Sequence, residues 1–190
     1  METKGYYLLS ERPSDFALET AAELEKKGFV KAGPEDPVDL LILSVSGKSE
    51  DDGDIRTHHD YGALEEVIAE NVNGVLRAAN ETVPRMKDSR YKRIVMLTDR
   101  TASVRRTAET EGFAYRMSLA AVHMAFRNLF NIYRKEGYTF RCYAEGEPGK
   151  GISAADYILR AQSYTPWDPV IHSDEDRPVM KDAFLDEIPW

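Results

Sequence analysis

Cysteine, basic charge and long apolar runs are all scarce in this sequence of 190 residues. The single cysteine, Cys142, cannot form an internal disulfide. It also cannot hold a zinc ion unless several other residues supply the remaining ligands. The 25 Lys and Arg residues are outnumbered by 33 Asp and Glu residues, so the net charge is −8. That balance argues against a nucleic-acid-binding protein, which needs a basic face. No run approaches the roughly 20 apolar residues that span a bilayer, so we expect no membrane insertion.

The amino terminus also lacks a basic segment followed by an apolar stretch and a small-residue cleavage site. We therefore expect a cytoplasmic protein. Hydrophobic residues make up 42% of the chain, which is enough for one core, and neither internal repeats nor low-complexity segments are present. The sequence predicts a single domain over residues 1–190, in which Cys142 is a small buried apolar side chain.

Short β-rich runs alternate with longer helical patterns. The predicted strands cover residues 6–9, 29–31, 38–45, 93–98, 138–144 and 178–180. The predicted helices cover residues 15–27, 61–83, 113–135 and 152–161. The run from Val38 to Val45 is apolar almost without alternation, which is typical of a strand covered on both faces. This pattern predicts an α/β fold: a doubly wound, Rossmann-like parallel sheet of about six strands with helices on both faces.

Two segments resemble the short-chain dehydrogenase/reductase family. Asn71-Val72-Asn73-Gly74-Val75-Leu76, continuing to Pro84-Arg85-Met86, is similar to the family's helix that carries an active-site asparagine and ends in Pro-x-Met. Tyr115-Arg116-Met117-Ser118-Leu119-Ala120-Ala121 resembles the family's Tyr-x-x-Ser-Lys-Ala-Ala segment, except that Leu119 replaces the lysine. The strand over residues 93–98 stands where the family has a strand ending in the catalytic serine. The resemblance covers residues 38–146.

The resemblance implies a catalytic role for Tyr115, which would pass a proton to or from the substrate oxygen, with support from Asn71. The serine position is Asp99, or Thr98 if the register shifts by one residue, and Ser103 is a third candidate. A carboxylate there would repel negative charge on a substrate oxygen, whereas a hydroxyl would donate a hydrogen bond.

The family's lysine lowers the tyrosine pKa, and Leu119 cannot do so. A free tyrosine is ionised in only about one molecule in a thousand at pH 7, and closing that gap costs about 4 kcal/mol. A neighbouring cation can replace the lysine charge by proximity. The candidates lie on the surrounding segment and are Arg100, Arg105, Arg106 and Arg116. The alternative is that these arginines form a solvated basic loop.

The cofactor end departs further from the family. No glycine occurs between Gly5 and Gly28, although the family has a glycine-rich turn after its first strand that lets the backbone approach a pyrophosphate. Glu11 and Asp15 add negative charge where the phosphates would lie. The remaining, weak candidates for cofactor contacts follow the first and third strands and are Ser10, Arg12, Ser46 and Gly47.

The link between the second and third predicted strands is too short for a crossover helix and another strand. We interpret this as the deletion of one β-α unit from the adenosine-binding half. The acidic residue expected after the second strand is also missing, because that strand continues into Lys31-Ala32-Gly33-Pro34. The substrate-covering region after Gly146 is shortened as well.

Three histidines, at two places in the chain, carry weaker signals. His58 and His59 lie beside Asp51, Asp52 and Asp54, but the spacing does not match a metal-binding loop, and an acidic surface loop is the favoured interpretation. No metal is predicted. His123 lies two helical turns beyond Tyr115 and is interpreted as a packed histidine rather than a base.

Three functional hypotheses remain open. The first is a degenerate member of the family that acts as a non-catalytic, oligomeric binding or regulatory subunit with no cofactor. The second is an active NAD(P)-dependent oxidoreductase for a small carbonyl or alcohol, with Tyr115 as acid/base. The third is a pocket for another nucleotide or small anion, held by Arg12 and Lys31. The family resemblance implies a homodimer or homotetramer through helices 62–83 and 113–135; the alternative is that these helices cover only their own sheet. The first hypothesis also allows a hetero-oligomer with an active relative.

Overall fold

The computed structural model describes residues 4–45, 55–56, 60–147, 149–160 and 177–190. The described strands form one sheet in the order β2-β1-β3-β4-β5-β6-β7. Their bounds are β1 Gly5–Leu9, β2 Phe29–Lys31, β3 Leu40–Ser44, β4 Arg93–Thr98, β5 Thr139–Ala144, β6 Met180–Lys181 and β7 Glu187–Ile188. Neighbouring strands are parallel except for β6 and β7, which pair antiparallel.

The helices lie on both faces of this sheet. Their bounds are α1 Asp15–Lys26, α2 Tyr61–Ile68, α3 Gly74–Thr82, α4 Phe113–Tyr133 and α5 Ala154–Leu159. The side chain of Ser14 caps α1 by accepting a hydrogen bond from the Ala17 amide at 3.2 Å. Gly28 follows α1 with a φ of +95°, a conformation that glycine adopts without strain. Among the helices described, none is both long and apolar enough to cross a membrane.

The central strands are buried on both sides. Leu40 and Ile42 of β3 pack in the core beneath α1 and α5. Leu41 and Leu43 pack in the core beneath α3 and α4. All residues of β3 and β4 are buried. The doubly wound α/β fold and the two-sided burial of the third strand are therefore confirmed.

The structure corrects two details of the predicted elements. The sheet has a seventh strand, β7, which the sequence did not reveal because two residues are too few to show an alternating pattern. Its Glu187 carboxylate accepts two hydrogen bonds from Arg177, at 2.6 and 2.7 Å. The helix predicted over residues 61–83 is divided by a π-helical turn, Ala69–Asn73, between α2 and α3.

The chain reverses its direction across the sheet between β1 and β3. From β1 it passes through α1 to β2 on one side, and β3 then pairs with β1 on the other side. Ligands of open α/β sheets bind at the carboxyl ends of strands at such a switch point. Strand β2 is an edge of the described sheet because it pairs with β1 alone. Residues 32–39 connect it to β3 without a further strand between them.

Candidate functional site

The turn after β1 is closed by hydrogen bonds between side chains and backbone. Ser10 is buried, its hydroxyl donates to the Ser44 carbonyl, and the Ser44 amide donates back to Ser10 Oγ, each at 3.2 Å. The Ser14 amide donates to Ser44 Oγ, also at 3.2 Å. Three serines therefore tie the β1 turn to the end of β3, where a glycine-rich turn would leave room for a pyrophosphate.

Charged pairs bridge the same crevice above these serines. Arg12 is hydrogen-bonded to Glu70 in the π-helical turn. Glu11 Oε2 lies 3.6 Å from Nη2 of Arg77 in α3. The cavity that remains between the β1 turn and α3 measures about 120 Å³, well below the roughly 300 Å³ at which ligand pockets begin.

A larger cavity of about 390 Å³ lies at the carboxyl ends of β4 and β5. Leu97 and Thr98 are buried residues that line it, and the phenol of Tyr115 lies against it from α4. Phe16 lines the cavity from α1 and stacks on Tyr143 with ring centroids 6.0 Å apart. The remaining polar lining includes the carboxylates of Asp15, Asp99 and Glu145.

The electrostatics around Tyr115 run against proton transfer. Burial raises the pKa of the Tyr115 phenol, and the carboxylates of Asp99 and Glu145 raise this pKa further. Leu119, in the position of the family's lysine, is fully buried in the hydrophobic core. The lysine that would lower the phenol pKa is thus replaced by a leucine of the core. The carboxylates of Asp99 and Glu145 raise that pKa instead.

The predicted arginine substitutes lie elsewhere. Arg100 is 4.0 Å from Asp182, and Arg106 donates to the Glu187 carbonyl at 3.3 Å. Arg116 donates to the Glu109 carbonyl at 3.2 Å, and Arg105 is exposed. No arginine is among the described residues that line the Tyr115 cavity.

Of the hydroxyl candidates, the structure brings Thr98 to Tyr115 and places Ser103 elsewhere. Thr98 Oγ1 lies 2.9 Å from His123 Nε2 in a buried contact. Ser103 is fully buried and its hydroxyl donates to the Pro189 carbonyl. Asp99 lines the cavity, and its Oδ1 accepts from the Thr101 amide at 2.7 Å.

His123 is packed rather than solvated, as the sequence predicted. Its ring and the ring of Trp190 pack edge to face, with their centroids 4.7 Å apart. Burial lowers the pKa of His123 to about 4, so the ring is neutral at physiological pH.

Asn71 is linked to the Tyr115 helix. It is buried in the π-helical turn, and its Nδ2 donates to Ser118 Oγ at 2.8 Å. Ser118 Oγ in turn donates to the Tyr115 carbonyl at 2.7 Å. The two residues that carry the family resemblance are therefore joined through Ser118, although Asn71 faces the smaller cavity and Tyr115 the larger one.

Several predicted positions lie outside the described residues, namely Ser46, Gly47, Asp51, Asp52, Asp54, His58 and His59. Within the described residues, no group of three or more His, Cys, Asp or Glu side chains could hold a metal ion. Lys31 is exposed on β2 and lines neither the Asn71 cavity nor the Tyr115 cavity.

The described residues do not fit a dinucleotide. The β1 turn is closed by the serines, Glu11 and Glu70 place carboxylates at the crevice, and Arg12 and Arg77 are already engaged with them.

Glu145 is the site residue that sequence reasoning missed. It follows β5 directly, and its amide donates to the Thr98 carbonyl at 2.9 Å. The signal was available, because parallel strands β4 and β5 end at the same edge of the sheet.

Comparisons with known proteins agree with this architecture. No family model matches the chain. C-signal of Myxococcus xanthus is 33% identical over 104 residues, which are 54% of this chain and 60% of that protein. The structure assigned to the carbonyl reductase Sniffer of Caenorhabditis elegans superimposes with a TM-score of 0.71 and 12% identity, covering all of both chains.

A short-chain dehydrogenase/reductase of Burkholderia multivorans with bound NADP superimposes with a TM-score of 0.67 and 12% identity, over 98% of this chain and 100% of that one. These structures confirm the resemblance of fold that the sequence indicated. The alignment with C-signal spans less than two thirds of that protein's length.

Proposed function

We propose that this chain, which has the fold of the short-chain dehydrogenases/reductases, is a degenerate form that acts as a non-catalytic, oligomeric binding or regulatory subunit. It would be a single Rossmann-like domain with a shortened adenosine-binding half and a shortened substrate-covering region. The observation that carries the proposal is the setting of Tyr115, which faces Asp99 and Glu145 while Leu119 is buried in the core.

The chemistry of proton transfer explains why that setting matters. An ordinary phenol already needs about 4 kcal/mol of help to ionise at pH 7. Here burial and two carboxylates raise the pKa of Tyr115 instead of lowering it. Because charge would develop on the phenol during proton transfer, the surroundings oppose the role that the family resemblance implies for this residue.

The crevice at the switch point supports the same proposal. The serine contacts and the Arg12–Glu70 and Arg77–Glu11 pairs occupy the region where a phosphate-binding protein presents backbone amides. A nucleotide would have to break these contacts and approach two glutamates. The third hypothesis, an anion held by Arg12 and Lys31, is disfavoured for the same reason.

The proposed assembly is a homodimer or homotetramer through helices 62–83 and 113–135, or a hetero-oligomer with an active relative. The outer face of α4 exposes Met117, Met124 and Ile132, each more than half accessible. The spacing of these side chains places them along one face of the helix. An unpartnered apolar stripe of this kind is typical of an interface.

Titration calorimetry with NADH and NADPH tests the proposal directly. We expect no heat of binding for either cofactor up to millimolar concentration, with the folded state of the sample checked by circular dichroism. A dissociation constant in the micromolar range for either cofactor would refute the proposal.

The second candidate is an active oxidoreductase for a small carbonyl or alcohol, with Tyr115 as acid/base and Thr98 as the hydrogen-bond donor. It is favoured by the contacts that link Asn71 to Tyr115 through Ser118 and by the presence of Thr98 and Tyr115 in one cavity. This candidate requires that Tyr115→Phe abolish any turnover that the wild-type chain shows with NAD(P)H. Unchanged turnover in that variant would exclude it.

A further inference from the structure

The charged side chains that line the cavity beside Tyr115 are negative, whereas a dinucleotide site needs positive charge. Its carboxylates come from separate elements: Asp15 begins α1, Asp99 follows β4 and Glu145 follows β5. No lysine, arginine or histidine is among the described residues that line it. The α1 terminus does not offset this charge, because Asp15 lies in its first turn and Ser14 caps it.

The depth of the cavity separates its charged and apolar parts. Leu97 and Thr98 are buried, Asp99 and Tyr115 are half-buried, and Asp15 and Glu145 are exposed. The carboxylates of Asp15 and Glu145 therefore stand at the mouth, while Leu97 and the rings of Phe16 and Tyr115 add apolar surface to a mostly polar lining. A volume of about 390 Å³ is that of a pocket for a small organic molecule.

The spacing of the carboxylates argues against a metal ion as the occupant. They do not come together as a group of three that could coordinate one ion. A cation with an organic body suits the cavity better, because its charge lies near the carboxylates while its body contacts Leu97 and the rings of Phe16 and Tyr115. The faces of aromatic rings also attract ammonium groups.

We propose that this cavity binds an organic ammonium ion, with the ammonium group at the carboxylates of Asp99 and Glu145 and the apolar body against Phe16 and Tyr115. The inference rests on the proposed function, because it gives the non-catalytic subunit its class of ligand. The lining carboxylates repel anionic ligands, and neutral ligands gain hydrogen bonds from them but no charge attraction.

Three probes of similar shape and different charge test the inference. They are 2-phenylethylamine, 2-phenylethanol and 3-phenylpropionate, titrated into the full chain by calorimetry or ligand-observed NMR. We expect the amine to bind with a submillimolar dissociation constant and the other two to bind at least about tenfold more weakly, as charge complementarity requires. Equal affinity for the amine and the alcohol would overturn the inference, and so would an amine that fails to bind at millimolar concentration.

Matched variants locate the bound amine. Asp99→Asn keeps an oxygen that can accept the Thr101 amide, so the local turn is preserved while the charge is lost. We expect Asp99→Asn and Glu145→Gln each to weaken amine binding by about fivefold to tenfold. The control is Glu136→Gln, which removes an exposed carboxylate beyond α4 and leaves amine affinity unchanged. Equal effects of all three variants, with thermal melting confirming their folding, would show that the charge of the cavity is not recognised.

The outcome for the cofactor is independent of the outcome for the amine. If neither NAD(P)H nor the amine binds, the ligand class is wrong and the non-catalytic proposal stands. If NAD(P)H binds with micromolar affinity, the non-catalytic proposal fails whatever the amine does.

Discussion

His123 is held neutral by its surroundings. The ring lies between Thr98 and Trp190, and burial lowers its pKa from the ordinary value of 6.5 to about 4. The unfolded chain takes up this proton as the pH falls through 6.5, whereas the folded chain does so only near pH 4. The native state therefore loses stability as the pH falls between these values.

We expect the wild-type chain to lose about 2 kcal/mol more unfolding free energy between pH 7 and pH 5 than His123→Gln loses. Glutamine places a side-chain amide near the position of Nε2 but does not titrate, and the other three histidines are common to both proteins. Urea denaturation at the two pH values measures the difference. An equal loss in both proteins would contradict the neutral, buried state of His123.

Individual site residues were predictable where the sequence carried the family's spacing. The two resembling segments predict Asn71 and Tyr115, and the end of β4 predicts Thr98; the structure places Thr98 beside Tyr115 and links Asn71 to it through Ser118. The spacing could not show whether Ser103 belongs to the site, because its hydroxyl donates to the carbonyl of Pro189, which lies at the far end of the chain. Long-range contacts of this kind leave no local pattern.

At the level of elements, α4 has two different apolar surfaces. Phe126, Leu129 and Phe130 are buried against the sheet. Met117, Met124 and Ile132 face outward instead. The sheet therefore covers only part of the apolar surface of this helix.

Met124→Glu tests whether the outer stripe of α4 holds the proposed assembly together. We expect the wild-type chain to run as an oligomer in light scattering coupled to size exclusion, and the variant to run at the mass of one chain, because burying a charge at an apolar interface is costly. Leu18→Glu is the matched control, since Leu18 is an equally bulky exposed residue on α1, and it should not change the mass. A wild-type chain that is itself monomeric would contradict the prediction.

Most of the secondary structure was predictable from the apolar pattern and from the residues that end each element. The boundaries of β2 and β4 agree with the sequence pattern, and β1 is extended by one residue. The break in the helix over residues 61–83 was not predictable, because the π-helical turn has no proline and contains ordinary polar and apolar residues. Leu76, which lies in α3 beyond this turn, is 39% exposed.

At the scale of the whole molecule, stability is expected to decrease from the centre of the sheet to its edges. Strands β3 and β4 are buried throughout and paired on both sides. Strand β2 has three residues and an exposed Val30, and β7 has two residues. Edge strands of this length open locally at low cost in free energy.

Hydrogen–deuterium exchange followed by mass spectrometry measures this gradient. We expect amides of β3 and β4 to exchange at least about a hundredfold more slowly than those of β2 and β7, since central strands exchange only by global unfolding. Equal protection in β7 and β4 would show that the carboxyl-terminal strand belongs to the same cooperative unit as the centre.

The π-helical turn Ala69–Asn73 has a consequence for how the chain tolerates changes in length. Each residue of an α-helix turns the chain by about 100°, so one residue gained or lost between α2 and α3 rotates one helix against the other without breaking either. The direction in which the side chains of α3 point thus depends on the number of residues between α2 and α3 as well as on which residues they are. An insertion or deletion in this turn would therefore rotate α3 relative to α2. Asn71 lies within the turn itself.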